Sequence, residues 1–151
     1  MKKGTKIGLL ILAAVSIAVI SLLWLEFDNT TARLAEVKDQ AQTAGDEIIV
    51  LLAGGWDYEA VELRTAPQFG TKEEVVQEMQ SWRDSLGTLV SSEGEVTATR
   101  YDLDGPSGPI VYADYTAACE FETGRATIVL ELSREPGNRW LLAGFTVTPA
   151  D

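Results

Sequence analysis

Histidine is absent from this chain of 151 residues, and cysteine occurs once, at Cys119. The lack of histidine removes the side chain that most often serves as a general base or a zinc ligand. A single cysteine forms neither an internal disulfide nor a thiolate cage around a metal ion. The sequence also contains no glycine-rich phosphate loop and no nucleophile elbow. We therefore expect no metal, no cofactor and no catalytic residue, and hence a protein that is not an enzyme.

Basic residues are few, and their distribution along the chain is uneven. The chain contains 12 lysines and arginines against 23 aspartates and glutamates, a net charge of −11. Lys2, Lys3 and Lys6 precede every acidic residue, and beyond residue 27 the chain holds 22 acidic and 9 basic side chains. A body with a net charge of −13 repels phosphate backbones, so we expect no nucleic-acid partner. Basic patches on other proteins are the complementary partners, although a solvated acidic surface is the commoner explanation of such charge.

One long apolar run opens the chain. Residues 7–25 carry no charge over 19 positions, and a helix of that length spans about 28 Å, close to the hydrocarbon thickness of a bilayer. Lysines precede the run and acids follow it, which places the N-terminus in the cytoplasm. We predict a transmembrane signal anchor at 1–27 and an extracytoplasmic domain at 28–151. Small residues suited to packing against other transmembrane helices are Ala14, Ala18 and Ser21.

Two alternatives to a retained anchor remain. A cleaved signal peptide has an apolar core of about 7–15 residues that ends at a small-x-small site; this run is longer, and "TTA" at 30–32 is the nearest match. The start "KKG" before a long apolar helix resembles a type IV prepilin. The pilin pattern places an acid five residues after the cleaved glycine, however, and Leu9 stands there.

Helical patterns occupy the first half of the body. A helix is predicted from Thr30 or Thr31 to the pair Gly54–Gly55. Its apolar stripe consists of Leu34, Val37, Ala41, Ala44, Ile48 and Leu51. This spacing fits either a parallel coiled-coil dimer or a helix lying on a sheet, and fewer than three full heptads favour the sheet.

Two further helices are predicted before residue 88. Residues 56–63 form a short helix that turns inward either Ala60 and Leu63 or Tyr58 and Val61. Thr71 and Glu74 match the capping box Thr-x-x-Glu, which starts a third helix that Gly87 ends. The buried face of this third helix is expected to contain Val75, Met79, Trp82 and Leu86.

From about residue 94 the apolar period changes to two, which predicts antiparallel strands. The expected strands are 95–103, 111–122, 125–134 and 139–147. In the second strand one face collects Val111, Ala113, Tyr115, Ala117, Cys119 and Phe121. Cys119 has an acidic neighbour, Glu120, and no histidine to lower its thiol pKa, so we interpret it as a core residue rather than a nucleophile.

Four stretches carry a resemblance to a known superfamily: "GGWDYEAVELRTAPQF" (54–69), "LGTLVSSE" (86–93), the hairpin 111–134, and "GNRWLLAGFTV" (137–147). Together they resemble the nuclear-transport-factor-2-like superfamily, which includes SnoaL-like and ketosteroid-isomerase-like domains, and in particular its bacterial exported domains of unknown function. The resemblance covers residues 32–148. It implies an α+β fold in which about three helices pack on a curved antiparallel sheet of about four strands, forming a cone.

The superfamily also implies a pocket between the sheet and the helices. The side chains expected to line it are Tyr58, Trp82, Tyr115 and Trp140. The family's enzymes place an aspartate or histidine base in this pocket, but no residue here matches that base, because histidine is absent and the strand acids alternate away from the apolar face.

These observations favour a single-pass protein of the bacterial inner membrane, with its domain periplasmic or extracellular. We expect a non-enzymatic interaction module, for example an accessory or assembly subunit of a membrane protein complex. Its expected partners are the lipid bilayer and other membrane proteins, reached through the transmembrane helix and the acidic domain. The alternatives are a pocket for a small apolar ligand, with or without isomerase-like chemistry, and a type IV pilin-like subunit.

Overall fold

The computed structural model describes Ser21, residues 31–105 and residues 108–150. The chain divides into two compact units, Met1–Val37 and Lys38–Asp151. In the first unit the described residues are helical. Among all the described residues, no helix is both long enough and apolar enough to cross a bilayer. The predicted anchor at 1–27 lies outside them except for Ser21.

The described chain has an α+β architecture in which helices precede a sheet. Helix α1 covers residues 31–53, α2 covers Tyr58–Val61 and continues as a 3₁₀ turn, Glu62–Arg64, and α3 covers Lys72–Leu86. The strands are β1 (Leu89–Asp102), β2 (Ile110–Phe121), β3 (Arg125–Arg134) and β4 (Leu141–Pro149). They form an open antiparallel sheet in the order β1-β2-β3-β4. The predicted α+β class with three helices and four strands is confirmed for these residues.

Helix α1 lies on the sheet through a broad apolar face. Its buried side chains are Ala41, Ala44, Ile48, Ile49, Leu52 and Ala53. The predicted stripe is therefore confirmed in its middle but wrong at Leu34, which is 43% exposed, and at Leu51, which is half-buried beside the fully buried Leu52. The reason is geometric: a helix that covers a sheet buries positions i, i+3, i+4, i+7 and i+8, a wider face than one heptad seam.

The second and third helices form largely where their patterns predict. In α2 Val61 is buried and Tyr58 half-buried, whereas Leu63 is 78% exposed, which selects the inward pair Tyr58 and Val61. Thr71 caps α3: its hydroxyl accepts from the Glu74 amide at 3.4 Å and donates to the Glu74 carboxylate at 2.8 Å. The helix buries Val75, Met79 and Leu86.

The expected burial of Trp82 in α3 is wrong. Its side chain is half-exposed, and its Nε1 lies 3.5 Å from Glu78 Oε1, one turn earlier on the same helix. The buried stripe of α3 is therefore narrow. The indole lies along the flank of the helix, where its N–H reaches an exposed carboxylate.

Strands β2 and β3 appear within one residue of their predicted bounds, and their alternation is confirmed by the burial of Tyr115, Ala117 and Cys119. Strand β1 starts at Leu89, six residues before the predicted position. Residues 91–95, "SSEGE", have low strand propensity. They are extended because they pair with β2, for example Ser92 with Cys119. Strand β4 starts at Leu141, so Trp140 precedes it.

A corner of polar contacts joins α3, β1 and the β2–β3 turn. Gly87, with φ of 74°, ends α3, and its carbonyl accepts from Trp56 Nε1 at 2.9 Å. The Trp56 ring stacks on Phe121 with centroids 5.7 Å apart. Glu122 Oε2 accepts from the Thr88 amide at 3.0 Å, and this hydrogen bond lowers the pKa of the Glu122 carboxyl.

Candidate functional site

Tyr115 is the largest side chain in the centre of the helix-covered face of the sheet, and it is 1% exposed. Its hydroxyl donates a hydrogen bond of 2.5 Å to Asp46 Oδ1 on α1. Burial, followed by the hydrogen bond to Asp46 and the charge of that carboxylate, raises the pKa of Tyr115 well above its usual value. The phenol therefore stays protonated at neutral pH and acts as a donor.

Two glycines bring α1 and β1 close to the Tyr115 ring. A Cβ at Gly45 would lie 2.2 Å from ring atom Cδ2, and a Cβ at Gly94 would lie 2.4 Å from Cζ. No side chain larger than hydrogen fits at either position without a shift. The ring consequently fills the space between α1 and β1 at this point of the fold.

Gln42 connects the same helix to the edge of the sheet. Its Nε2 donates to Gly94 O at 2.9 Å, and its Oε1 accepts from Val96 N at 3.0 Å. Nε2 also lies 3.1 Å from Asp46 Oδ1, the atom that accepts from Tyr115. Since β1 is an edge strand, the Gln42 amide takes the place of a neighbouring strand's backbone. The sequence offered no signal for this network, because Gln42 and Asp46 read only as polar helix residues.

The other three side chains expected to line a pocket differ in how deeply they are buried. Trp140 is 4% exposed, with the Arg134 guanidinium carbon 5.0 Å from its ring centroid. Tyr58 is half-buried beneath Lys72 Nζ at 5.1 Å, and Trp82 is half-exposed on α3. None of these, nor Tyr115, borders the two depressions described below. Their role as pocket residues remains a prediction.

The residues expected to pack in the membrane belong to the first unit. Ala14 and Ala18 lie outside the described residues. Ser21 is helical and exposed. Their role in transmembrane packing therefore also remains a prediction.

The opposite side of the sheet is a polar surface, which we call the acidic face. Strand register and alternation place its side chains away from Tyr115 and the helices. Its carboxylates are Glu93, Glu95, Asp102, Asp114, Glu120 and Glu131. Its basic side chains are Arg100 and Arg125. Six carboxylates thus share this face with two guanidinium groups.

The two arginines neutralise part of the acidic face. Arg100 lies 3.3 Å from Asp114 Oδ1 and 3.6 Å from Glu131 Oε1, and its guanidinium covers the Tyr112 ring at 5.3 Å. Arg125 lies 4.0 Å from Glu120.

The edge strand carries the remaining charge. Glu93 and Glu95 are exposed and form no ion pair with any other residue that the structure describes. The greatest unbalanced negative charge of the face therefore lies along β1.

Two open depressions border this face. The larger, of about 500 Å³, lies between Glu93, Ala118, Glu120 and Arg125. The second, of about 430 Å³, is lined by residues that include Gln68, Arg100, Tyr112 and Glu131. Both depressions are open to solvent and have charged side chains in their lining, so they suit an extended protein segment better than an enclosed apolar ligand.

Cys119 is buried, and its Sγ lies 3.8 Å from the Ala117 carbonyl oxygen. Burial raises the pKa of its thiol from the usual 9.0 to about 11. Although Cys119 borders the larger depression, the thiol is therefore protonated and inert at neutral pH. The interpretation of Cys119 as a core residue is confirmed.

Within residues 31–105 and 108–150, no group of three or more histidine, cysteine, aspartate or glutamate side chains is placed to hold a metal ion. Comparison with protein-family models, curated proteins and solved structures found no match to this chain.

Proposed function

We propose that this protein is a membrane-anchored, non-enzymatic interaction module, an accessory or assembly subunit of a bacterial inner-membrane complex, and that it docks its partner on the acidic face. The observation that carries the proposal is the acidic face of the sheet, where Glu93 and Glu95 are exposed and form no ion pair with any basic side chain that the structure describes. A partner segment rich in lysine or arginine complements this charge and is steered toward it.

The state of the inner-face groups supports a role without catalysis. Tyr115 and Cys119 are the nucleophilic or acidic side chains at the centre of that face, and both have raised pKa values. Each is buried and protonated at neutral pH. A tyrosine or cysteine that acts as a general base or nucleophile requires the opposite shift, a lowered pKa.

The membrane placement rests on the sequence. An uncharged run at residues 7–25 after Lys2, Lys3 and Lys6 supports a single-pass anchor with the N-terminus in the cytoplasm and the body in the periplasm or outside the cell. The element order, three helices and then a meander of four strands, supports membership of the nuclear-transport-factor-2-like superfamily with its cone-shaped domain.

Charge reversal on the acidic face tests the docking surface. The full chain, purified from native membranes in a mild non-ionic detergent, would be compared with Glu93→Lys/Glu95→Lys and with the matched control Glu73→Lys/Asp84→Lys, which reverses two exposed acids on α3. Quantitative mass spectrometry of co-purified proteins is the measurement. We expect a stoichiometric membrane protein that is reduced at least tenfold by the first pair and retained by the control.

Four outcomes would overturn the proposal. If both pairs of substitutions reduced the co-purified protein equally, binding would depend only on the total charge of the domain and not on the acidic face. A stoichiometric apolar small molecule in place of a protein would favour the pocket alternative. A mature polypeptide lacking residues 1–27 would remove the anchor, and one that begins at Thr5 would favour a pilin.

A further inference from the structure

Two of the body's nine basic residues, Arg134 and Arg139, lie next to Trp140 in space or in sequence, and a third, Arg64, follows the residue that Arg139 contacts. Arg139 is adjacent to Trp140 in sequence, and the Arg134 guanidinium carbon lies 5.0 Å from the Trp140 ring centroid. Arg139 donates to the Leu63 carbonyl oxygen, which brings the neighbouring Arg64 to the same region. We call Arg64, Arg134, Arg139 and Trp140 the Trp140 cluster.

The backbone holds this arrangement in place. Thr65 forms a parallel bridge with Leu142, and the Ala66 amide donates to the Leu142 carbonyl oxygen at 2.8 Å. The segment after α2 therefore runs beside the start of β4. This single bridge and the adjoining hydrogen bond hold the segments that carry Arg64 and Arg139 side by side.

The charges of two of these arginines are not balanced by carboxylates. Arg134 donates to Gln40 Oε1 and Arg139 to the Leu63 carbonyl oxygen, both neutral acceptors. Among the residues that the structure describes, no carboxylate oxygen lies within 4.0 Å of either guanidinium. Arg64 alone is paired, with Glu47 at 3.0 Å. Unpaired cations are unexpected in a body where acids exceed bases 22 to 9.

Two buried donors in the cluster also lack acceptors. Trp140 is 4% exposed, and its Nε1 has no hydrogen-bond partner among the described residues. The same holds for Arg64 Nε. A buried N–H without an acceptor costs free energy that a ligand oxygen recovers. Indole and guanidinium groups are donors only, so the cluster lacks acceptors and negative charge.

We propose that the Trp140 cluster binds a small oxyanion, a carboxylate or phosphate group, with the Trp140 indole N–H and the Arg134 and Arg139 guanidinium groups as donors. Arginine presents a planar set of N–H groups that matches two oxygens of such an anion. Arg139 is exposed, so its side chain moves from the Leu63 carbonyl to the ligand at little cost. The Trp140 indole N–H is buried in the unliganded state, so binding also requires the side chains around the indole to move.

The indole resonance of Trp140 reports binding directly. The full chain, ¹⁵N-labelled in a non-ionic detergent that contains no phosphate, would be titrated with inorganic phosphate and with acetate at constant ionic strength set by chloride. Trp140→Phe assigns the signal among the four tryptophans. We expect a saturable shift of the Trp140 indole N–H, while the other indoles stay fixed. A second arm uses nanodiscs of neutral or anionic phospholipid without added phosphate, and a shift there identifies a lipid headgroup as the source of the oxyanion.

Matched arginine variants make the test decisive. We expect Arg139→Ala and Arg134→Ala to weaken the apparent affinity at least fivefold, and Arg125→Ala, at the other end of β3, to leave it unchanged. The dispersion of the remaining resonances checks that each variant is folded, and Arg139→Ala alters only an exposed side chain. The proposal is overturned if no anion or lipid moves the signal, if the shift is linear and shared by all indoles, or if Arg125→Ala weakens binding as much as Arg139→Ala.

Discussion

The hydroxyl of Tyr115 donates to the carboxylate of Asp46 over 2.5 Å, and these residues are 69 positions apart in sequence. One partner is buried in the sheet and the other is exposed on α1. The pair therefore fixes the position of the helix over the sheet with a hydrogen bond to a charged group, a stronger type than one between neutral groups.

Tyr115→Phe removes only the hydroxyl and keeps the ring between α1 and β1. We expect the free energy of unfolding to fall by about 1–2 kcal/mol, since a hydrogen bond to a charged group contributes about 1.5–3 kcal/mol and the Asp46 carboxylate is partly solvated. Urea denaturation of the full chain in detergent measures the change. Tyr58→Phe, at a half-buried position, is the control and should change stability by less than about 0.5 kcal/mol.

Gly45→Ala should destabilise the protein, although alanine is ordinarily the better helix former by about 1 kcal/mol. The new Cβ would lie 2.2 Å from the Tyr115 ring, and forcing a methyl into a packed core costs about 1–3 kcal/mol. Gly55→Ala is the matched control, because no atom lies within 4 Å of its added Cβ. In a Tyr115→Leu background the penalty at Gly45 should shrink. An unchanged penalty there would show that the ring is not the obstacle.

Gln42→Ala should open the outer edge of β1. The Val96 amide loses its acceptor, and the Gly94 carbonyl oxygen loses a donor. We expect the hydrogen exchange of the Val96 amide to accelerate at least tenfold, with a loss of about 1–2 kcal/mol in global stability. Gln80→Ala, which removes an exposed amide on α3, should leave the Val96 exchange rate unchanged.

Because of Cys119, we expect the free energy of unfolding to fall as pH rises in the alkaline range. The pKa of its thiol is about 11 in the folded protein against 9.0 ordinarily, so its contribution is complete below about pH 9 and is lost as pH rises toward 11. We expect the urea midpoint of the native chain to fall more steeply between about pH 9 and pH 11 than that of Cys119→Ala. Parallel pH curves for the two proteins would contradict the shift.

Glu122 produces the corresponding effect in acid. Its pKa is lowered by the hydrogen bond from the Thr88 amide, so its contribution is present above its usual pKa of 4.5 and is lost as pH falls through the lowered value. Glu122→Gln should therefore lose less stability between about pH 5 and pH 3 than the native chain does. Urea denaturation at each pH measures the difference, and equal losses in the two proteins would contradict the lowered pKa of Glu122.

Local chemistry predicts much of the fold. The Thr71 capping box and the alternation of β2 identify their elements because each signal lies within a few residues. No local signal predicts the early start of β1, because "SSEGE" becomes a strand only through its pairing with β2. Trp82 illustrates a second limit, since an apolar position on a helix is buried only when another element covers that side.

The contacts of the candidate site are less accessible to sequence reasoning. Gln42 meets Gly94 across 52 positions and Tyr115 meets Asp46 across 69, and polar helix residues carry no mark of such partners. The need for glycine at positions 45 and 94 becomes clear only from the structure, because the Tyr115 ring lies against both positions. In the sequence Arg134 and Arg139 contribute only to the net charge, and the structure alone places Arg134 over the Trp140 ring and Arg139 against the Leu63 carbonyl oxygen.

The meander of the sheet has a consequence for synthesis. Each strand pairs with its neighbour along the chain, so the hairpins close as soon as the ribosome has released them. The bridge from Thr65 to Leu142, by contrast, waits for β4, the last strand to emerge. Until β1 and β2 have emerged and paired, Ile48, Ile49 and Leu52 of α1 have no sheet to cover them, and this apolar surface of the nascent chain is prone to aggregation.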